Sequence, residues 1–141
     1  MAEEQSPHLT TGVWKISDTY GNYLRADEHG NIRLGKGEAP EDLGKWWLGR
    51  LTDDELDGFT ITNHQTRGNA WAEPELDYSI HSGKRTKWYI HTAGNGVFHI
   101  SWPGKDLYWT SKGIILGPVI LGGLGTDPHH QLWKFTWVGD F

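Results

Sequence analysis

The sequence contains no cysteine, which excludes disulfide bonds, thiolate metal sites and cysteine nucleophiles. It also lacks an apolar run of the roughly 20 residues that a membrane-spanning helix requires, so we expect no membrane insertion. Its 13 Lys and Arg are outnumbered by 18 Asp and Glu. The resulting formal charge of −5 disfavours nucleic-acid binding, which uses a clustered basic face. The acidic start, Met1-Ala2-Glu3-Glu4-Gln5, is unlike a signal peptide and predicts a cytoplasmic protein, or one released by a non-classical route.

Tryptophan and glycine are in excess. The chain has nine Trp and 19 Gly among 141 residues, which is the length of one domain. High Gly with six Pro indicates many tight turns. Trp is costly to leave in water and is a favoured anchor at binding surfaces. Nine exceed the needs of one small core, so we expect some of them to face a ligand.

A three-fold repeat organises the chain. Each unit opens with a glycine and then alternates apolar with polar residues, the period of a half-buried strand. Three pairs are therefore predicted to point inward: Trp14 and Ile16, Phe59 and Ile61, and Phe98 and Ile100. Each unit ends on a Trp followed two residues later by an apolar residue, at intervals of about 40 residues: Trp46, Trp88 and Trp133. We expect Trp14, Trp46 and Trp133 in the core, and Trp47 on the opposite face from Trp46.

Three units of four short strands predict an all-β chain with the β-trefoil architecture, in which a six-stranded barrel is capped by three hairpins. A propeller is disfavoured because it needs at least about four blades. No sustained helical period appears. The remaining strands are predicted at Ile32-Arg33-Leu34, Tyr78-Ser79-Ile80 and Ile114-Ile115-Leu116. We expect an N-terminal tail at residues 1–10 and one domain over residues 11–141, with repeats at 11–56, 57–94 and 95–141.

The third unit contains a Gln-x-Trp signature at Gln131-Leu132-Trp133, while the other units hold Gly44 and Thr86 at the Gln position. With the opening Leu9-Thr10-Thr11-Gly12, this layout resembles the ricin-B-type β-trefoil lectins. Within them it is similar to the small cysteine-free lectins of mushroom fruiting bodies that bind chitobiose and fucose. The resemblance extends from about residue 9 to residue 138. It implies a lectin that binds glycans non-covalently, without a cofactor, and that acts in defence.

Ricin-type galactose sites use an Asp on the second strand of a repeat. Superposing the units places Arg25, Trp71 and Trp109 at or beside that position. None of them is an Asp, and an Arg cannot accept a hydrogen bond, so we expect no ordinary galactose site. Asp27 lies two residues after Arg25 on the same face and is a secondary candidate, as is Trp109.

The middle unit is the main candidate site. In the similar lectins, aromatic residues that match Trp71 and Trp88 line an oligosaccharide groove, where an indole packs on the apolar C–H face of a sugar ring. The basic run Lys84-Arg85-Thr86-Lys87 replaces an aromatic stretch of the family. This change either favours a charged glycan or means that the sugar site has been lost. Three polar residues between the two Trp are predicted to bind the hydroxyl groups: Asp77, Tyr78 and Arg85.

Two other functions stay open. The same fold resembles fungal protease inhibitors, whose inhibitory loops would lie at residues 35–44 and 122–130. It also resembles lectin-like interaction subunits, either the light chain of mushroom tyrosinase or the fascin-type actin bundlers. The partners expected from the main reading are oligosaccharides or glycoproteins. The oligomeric state is open between monomer and homodimer.

An enzyme is the least favoured class, because no nucleophile–base pair is readable in the sequence. His129 and His130 are predicted to lie on a strand and to point in opposite directions. His91 and His99 are predicted to face each other across a hairpin, but two imidazoles without a third ligand are a poor zinc site. We therefore expect no metal.

Overall fold

A computed structural model describes residues 9–26, 32–37, 41–51, 58–73, 79–83, 86–102, 105–111, 119–125 and 128–140. The described residues form twelve strands and two 3₁₀ turns, and four strands fall within each predicted repeat. The strands are β1 (Gly12–Ser17), β2 (Asn22–Ala26), β3 (Ile32–Lys36), β4 (Trp46–Leu51), β5 (Gly58–Asn63), β6 (Asn69–Glu73), β7 (Ser79–Gly83), β8 (Tyr89–Gly94), β9 (Val97–Ser101), β10 (Tyr108–Ser111), β11 (Val119–Gly122) and β12 (Lys134–Gly139). The 3₁₀ turns are Glu41–Gly44 and Pro128–His130. Within these ranges no helix is long and apolar enough to cross a bilayer.

All of the strand pairings are antiparallel. The strand order is β3-β2-β1-β4-β5-β6-β7-β11-β10-β9-β8, and β12 pairs with β1. Two bridges join the strand ends of different ladders. Phe59 and Trp88 exchange backbone hydrogen bonds of 2.8 and 2.7 Å, and Phe98 and Trp133 exchange bonds of 2.8 and 2.9 Å. These bridges attach the segments that lead into β8 and β12 to β5 and β9.

The core is built from equivalent residues of the three units. Ile16, Ile61 and Ile100 have no exposed surface, and their partners Trp14, Phe59 and Phe98 are also buried. The predicted inward pairs are therefore confirmed. Trp46 and Trp133 are fully buried as expected, and Trp47, on the other face of β4, is partly exposed.

Three indole hydrogen bonds fix the superposition of the units. Each buried end-of-repeat Trp donates its Nε1–H to a backbone carbonyl on the second strand of its own unit. The donor and acceptor pairs are Trp46 to Leu24 at 3.0 Å, Trp88 to Ala70 at 3.0 Å, and Trp133 to Trp109 at 3.1 Å. Leu24, Ala70 and Trp109 are thus equivalent. The next residues, Arg25, Trp71 and Thr110, are equivalent in turn.

This superposition corrects the sequence comparison in the third unit, where Trp109 was matched with Trp71. Trp109 has no exposed surface and packs edge to face against Trp88 and Trp133, with ring centroids 5.4 and 6.0 Å apart. The large indole occupies the core position that the small Ala70 holds in the second unit. A fully buried ring offers no face to a sugar, so the secondary site predicted at Trp109 was wrong.

The last hairpin includes a strand that the sequence analysis did not predict. β10 pairs with Val119–Gly122, while the predicted strand at 114–116 lies outside the described residues. Both segments are apolar runs beside Gly117, so strand pattern alone did not distinguish them. This pairing places Gly122 opposite Tyr108, as Gly35 lies opposite Tyr23 and Gly83 opposite Asn69.

Candidate functional site

Trp71 lies on the outward face of β6. Its neighbours Ala70 and Ala72 are buried at 0 and 1 % exposure, and the alternation of the strand turns Trp71 to the other side, where it is partly exposed. The ring extends over Gly83 on β7, since a Cβ placed there would come within 2.7 Å of Cζ3 and 2.8 Å of Cδ2 of the indole. The glycine is therefore needed for this ring position.

Asn69 lies beside the Trp71 ring. It is the register partner of Gly83 and donates a hydrogen bond of 3.4 Å from Nδ2 to the Gly83 carbonyl. The hydroxyl of Thr62 on β5 donates to Asn69 Oδ1 at 2.8 Å. These two bonds orient the amide, and one of its two N–H donors is not used by them. An indole and an oriented amide thus meet over Gly83.

A cavity continues from Asn69 across the outer face of β4 and β5. Its volume is about 770 Å³, within the range of roughly 300–1,000 Å³ that is typical of ligand pockets. Gly49 and Thr60 are register partners and line it, and the Thr60 hydroxyl is bonded to the Gly49 carbonyl at 3.3 Å. Trp47 and its register partner Thr62 also line the cavity. We call this cavity the β4–β5 groove.

Three charged residues are also among those that line the β4–β5 groove: Arg50, Arg67 and Asp140. The guanidinium of Arg50 lies over the ring of its register partner Phe59, 5.4 Å from the ring centroid. This cation–π contact restrains an otherwise exposed side chain.

Arg67 is held by the turn between β5 and β6. The buried Asn63 accepts backbone hydrogen bonds at Oδ1 from Gln65 and Thr66 at 3.0 and 2.9 Å, and its Nδ2 donates to the Leu43 carbonyl at 2.9 Å. The Arg67 amide donates to the Asn63 carbonyl at 3.0 Å, and Arg67 adopts a left-handed backbone conformation with φ of 65°. An Asx-type turn therefore sets the backbone position of Arg67.

The equivalent positions in the other units carry different chemistry. Arg25 reaches over Gly35 and donates from its guanidinium to the Gly37 carbonyl at 2.7 Å. Thr110 accepts a hydrogen bond of 3.0 Å from Gln131 Nε2 and donates to the Tyr108 carbonyl at 2.9 Å. Among these three positions, Trp71 alone is aromatic. None of the three is an Asp.

The Gln of the Gln-x-Trp signature has a structural role. Gln131 is fully buried, and its Nε2 also donates to the Gly123 carbonyl at 2.8 Å. Its Oε1 accepts the Gly125 amide at 3.0 Å. The side chain therefore ties the segment after β11 to β10 and presents no group to a ligand.

The structure corrects the role predicted for Trp88. The ring has no exposed surface, and its N–H is bonded to the Ala70 carbonyl. It packs against Trp109 and Trp102, with ring centroids 5.4 and 6.3 Å away. A ring enclosed in this way cannot stack on a sugar. Of the remaining predicted site residues, Trp71 lies at the surface. The others are outside the described residues: Asp27, Asp77, Tyr78 and Arg85.

Sequence reasoning did not include the β4–β5 groove. The alternation of Trp46 and Trp47 had already placed Trp47 on the outer face, which was the one available signal. Asn69, Thr62 and Arg67 are ordinary surface residues in the sequence. They converge because β4, β5 and β6 lie side by side in the sheet.

The histidines were partly predicted. His91 and His99 are register partners across β8 and β9, as expected. Burial lowers the pKa of His99 below its usual value, and repulsion from His91 lowers this pKa further. His129 and His130 lie in a 3₁₀ turn and not on a strand, so that prediction was wrong. Within the described part of the chain, no three His, Cys, Asp or Glu residues are grouped to hold a metal ion.

No protein-family model and no curated protein matches this sequence. Solved structures do resemble it. The ricin B-like lectin of Macrolepiota procera is 15 % identical, with a TM-score of 0.77 over 94 % of this chain and 100 % of that chain. The Rhizoctonia solani agglutinin is 18 % identical, with a TM-score of 0.78 over 95 % of this chain and 100 % of that chain.

A proteinase inhibitor from Coprinopsis cinerea is similar as well. It is 16 % identical, with a TM-score of 0.69 over 93 % of this chain and 100 % of that chain. At such low identity these similarities show the fold alone, and the same fold carries more than one function. The chain therefore has the β-trefoil fold of the ricin B-like lectins.

Proposed function

We propose that the protein is a carbohydrate-binding lectin that recognises glycans non-covalently and catalyses no reaction. The observation that carries this proposal is the outward Trp71 ring over Gly83, which adjoins Asn69 and the β4–β5 groove. An indole packs on the apolar face of a sugar ring, and an oriented amide binds its hydroxyl groups. This combination of apolar surface and few polar groups is typical of small-ligand sites.

The similar structures support a glycan as the ligand. The Macrolepiota procera protein is a lectin solved in complex with lactose, and the Rhizoctonia solani protein is an agglutinin. This chain has Arg25, Trp71 and Thr110 where the galactose-type Asp is expected. We therefore propose binding through the Trp71 surface and not through that Asp. The closer relation to fruiting-body lectins, a role in defence and a cytoplasmic location stay predictions from the sequence.

The strand pairings support the finer architecture expected from the repeat. Ladders and the two bridges join β1, β4, β5, β8, β9 and β12 successively, and β12 pairs back to β1. We infer a six-stranded barrel from this order. The pairs β2–β3, β6–β7 and β10–β11 would then be the capping hairpins, and Trp71 would lie on the cap of the second unit.

A glycan array followed by calorimetry tests the proposal. The array includes chitooligosaccharides, fucosylated cores, mannosides, galactosides and acidic glycans, and calorimetry then measures the affinity for the strongest ligand. We expect Trp71→Ala to weaken binding at least about tenfold, or about 1.4 kcal/mol. Tyr20→Ala removes another exposed aromatic, 58 % exposed and in the first unit, and serves as the matched control. Equal affinities of the wild type and Trp71→Ala would remove Trp71 from the site.

Proteinase inhibition is a second candidate function, because the Coprinopsis cinerea structure is named as a proteinase inhibitor and matches nearly the whole chain. Inhibitory loops would lie at residues 35–44 and 122–130. A panel of papain-like and trypsin-like proteases titrated with the protein tests it. Absence of inhibition at micromolar protein would eliminate this function.

A further inference from the structure

We propose that the β4–β5 groove is a second sugar subsite, in which Trp47 stacks on one ring of a linear oligosaccharide while Trp71 stacks on another ring of the same chain. The inference rests on the proposed lectin function and specifies its ligand class, an oligosaccharide longer than a disaccharide. It requires that the groove be continuous with the Trp71 surface, that Trp47 face into the groove, and that the space between the two indoles accept a sugar.

The groove is continuous with the Trp71 surface through β6. Asn69 lines the groove, and its register partner Gly83 lies under the Trp71 ring. Thr62 also lines the groove, and it pairs with Asn69 on one side and with Trp47 on the other. At about 4.8 Å per strand spacing, the Cα atoms of Trp47 and Asn69 are about 10 Å apart. Adjacent rings of a glycan are joined through one oxygen atom and lie closer together than this, so the two indoles would contact sugars that are not adjacent in the chain.

Trp47 faces the groove from β4. The residues on either side of it, Trp46 and Leu48, have no exposed surface. Strand alternation therefore turns Trp47 outward, where it is partly exposed and lines the cavity. A large aromatic side chain beside a few polar groups is the usual lining of a small-ligand pocket, and the apolar face of a sugar ring can pack on an indole.

The groove is open because the side chains at its centre are small. Gly49 and Thr60 are register partners there, and a Cβ on Gly49 would come within 2.8 Å of the Thr60 hydroxyl oxygen. The equivalent register pairs of β8–β9 and β12–β1 contain larger side chains: His91 with His99, and Thr136 with Lys15. We therefore expect Gly49 to be the residue that keeps the space beside Trp47 open to a ligand.

Uncharged polar groups lie along the path between the two indoles. The Thr60 hydroxyl donates to the Gly49 carbonyl, and the Thr62 hydroxyl donates to Asn69 Oδ1. A hydroxyl oxygen that donates its proton can still accept hydrogen bonds, and one N–H of the Asn69 amide is not used by the bonds described above. These groups can bind the hydroxyls of a sugar placed between the indoles, without an ionised group on the ligand.

The test uses the array glycan that binds most strongly, together with all of its shorter fragments down to the monosaccharide. Calorimetry measures the affinity of each for the wild type, Trp47→Ala, Gly49→His, Trp71→Ala and Tyr89→Ala. Gly49→His introduces the side chain that β8 carries at the equivalent position. Tyr89→Ala is the matched control, because Tyr89 is a partly exposed aromatic residue of β8 at the position equivalent to Trp47. Thermal melts of each variant verify folding.

We expect the affinity of the wild type to rise as the ligand is lengthened beyond a disaccharide. Trp47→Ala and Gly49→His should bind the full glycan about tenfold more weakly than the wild type and should bind the disaccharide equally well. Trp71→Ala should weaken binding of every fragment, and Tyr89→Ala should match the wild type. A strongest ligand no longer than a disaccharide, or a Trp47→Ala variant that behaves as Tyr89→Ala does, overturns the inference while the lectin function stands. Binding to no glycan overturns both.

Discussion

Replacing Trp88 with Phe tests whether this tryptophan has a structural role or a ligand-binding role. Trp88 is fully enclosed by the core and donates its indole N–H to the Ala70 carbonyl at 3.0 Å. Phenylalanine keeps an aromatic ring in the same place but has no N–H and fills less space. The structure therefore predicts a large loss of stability and an unchanged glycan affinity, provided that the affinity is measured on folded protein.

The size of the stability loss has two parts. Leaving a buried carbonyl without its donor costs about 1–3 kcal/mol. The lost ring atoms and the space they leave cost a further 1–2 kcal/mol or so, less than the roughly 3–5 kcal/mol of a complete Trp→Ala truncation. We expect about 3 kcal/mol in total. For a domain of this length, that loss lowers the melting temperature by about 12 °C.

The three-fold repeat supplies matched controls. Trp46→Phe and Trp133→Phe remove the equivalent N–H bonds to the Leu24 and Trp109 carbonyls and should cost a similar amount. Trp71→Phe, at the surface, should change stability by roughly 0.5 kcal/mol or less. Urea unfolding and calorimetric glycan titration are run on all four. A Trp88→Phe protein with wild-type stability and weakened glycan binding would refute the placement of Trp88 in the core.

Two further predictions concern the Trp71 surface and the β8–β9 hairpin. Gly83→Ala should displace the Trp71 ring and weaken glycan binding several-fold, because a Cβ at this position collides with the indole. Gly35→Ala is the control, since its Cβ makes the equivalent collision with Arg25 in the first unit. We expect it to leave the glycan affinity measured by calorimetry unchanged. Equal effects of the two substitutions on affinity would contradict the site. For His99, the lowered pKa means that the unfolded state takes up its proton first as pH falls below about 6.5, so stability should decrease from pH 7 to pH 5. Melting curves of His99→Gln should show a smaller decrease than those of the wild type or of the exposed His129→Gln, and parallel curves for all three would refute this cause.

Most of the fold could be predicted from two sequence patterns, the alternation of apolar and polar residues along strands and the three-fold repeat. Ile16, Ile61 and Ile100 were predicted to point inward from their period-two spacing after a repeated glycine, and all three are fully buried. The one-residue error at Trp109 arose where two aromatic residues, Tyr108 and Trp109, are adjacent. Composition gives no preference there, and the register is decided by the hydrogen bond from Trp133 to the Trp109 carbonyl, a contact across 24 residues.

The candidate site was less predictable because it is assembled across strands. Trp71 was identified from its position in the repeat, and Trp47 was placed outward by alternation. Their connection depends on Asn69, Thr62 and Gly83, which come from three strands and have no sequence signature of binding. Trp88 was misassigned because the sequence pattern of a repeated Trp at the end of a unit does not distinguish a core residue from a surface residue that stacks on a sugar. The hydrogen bond to Ala70 decides that it belongs to the core.

The three units keep one framework and vary one outward position. Each framework contains a buried Trp bonded to the second strand and a glycine on the third strand at the same register. At the position after the bonded carbonyl, the chain places Arg25, Trp71 and Thr110. The Arg25 guanidinium is bonded to the Gly37 carbonyl, and the Thr110 hydroxyl to the Gln131 side chain. The ring at Trp71 retains exposed apolar surface beside an oriented amide. Because the backbone is shared, we expect these side chains, and not the fold, to decide which unit binds a ligand, which is why single substitutions at Trp71 and Gly83 test the site without testing the fold.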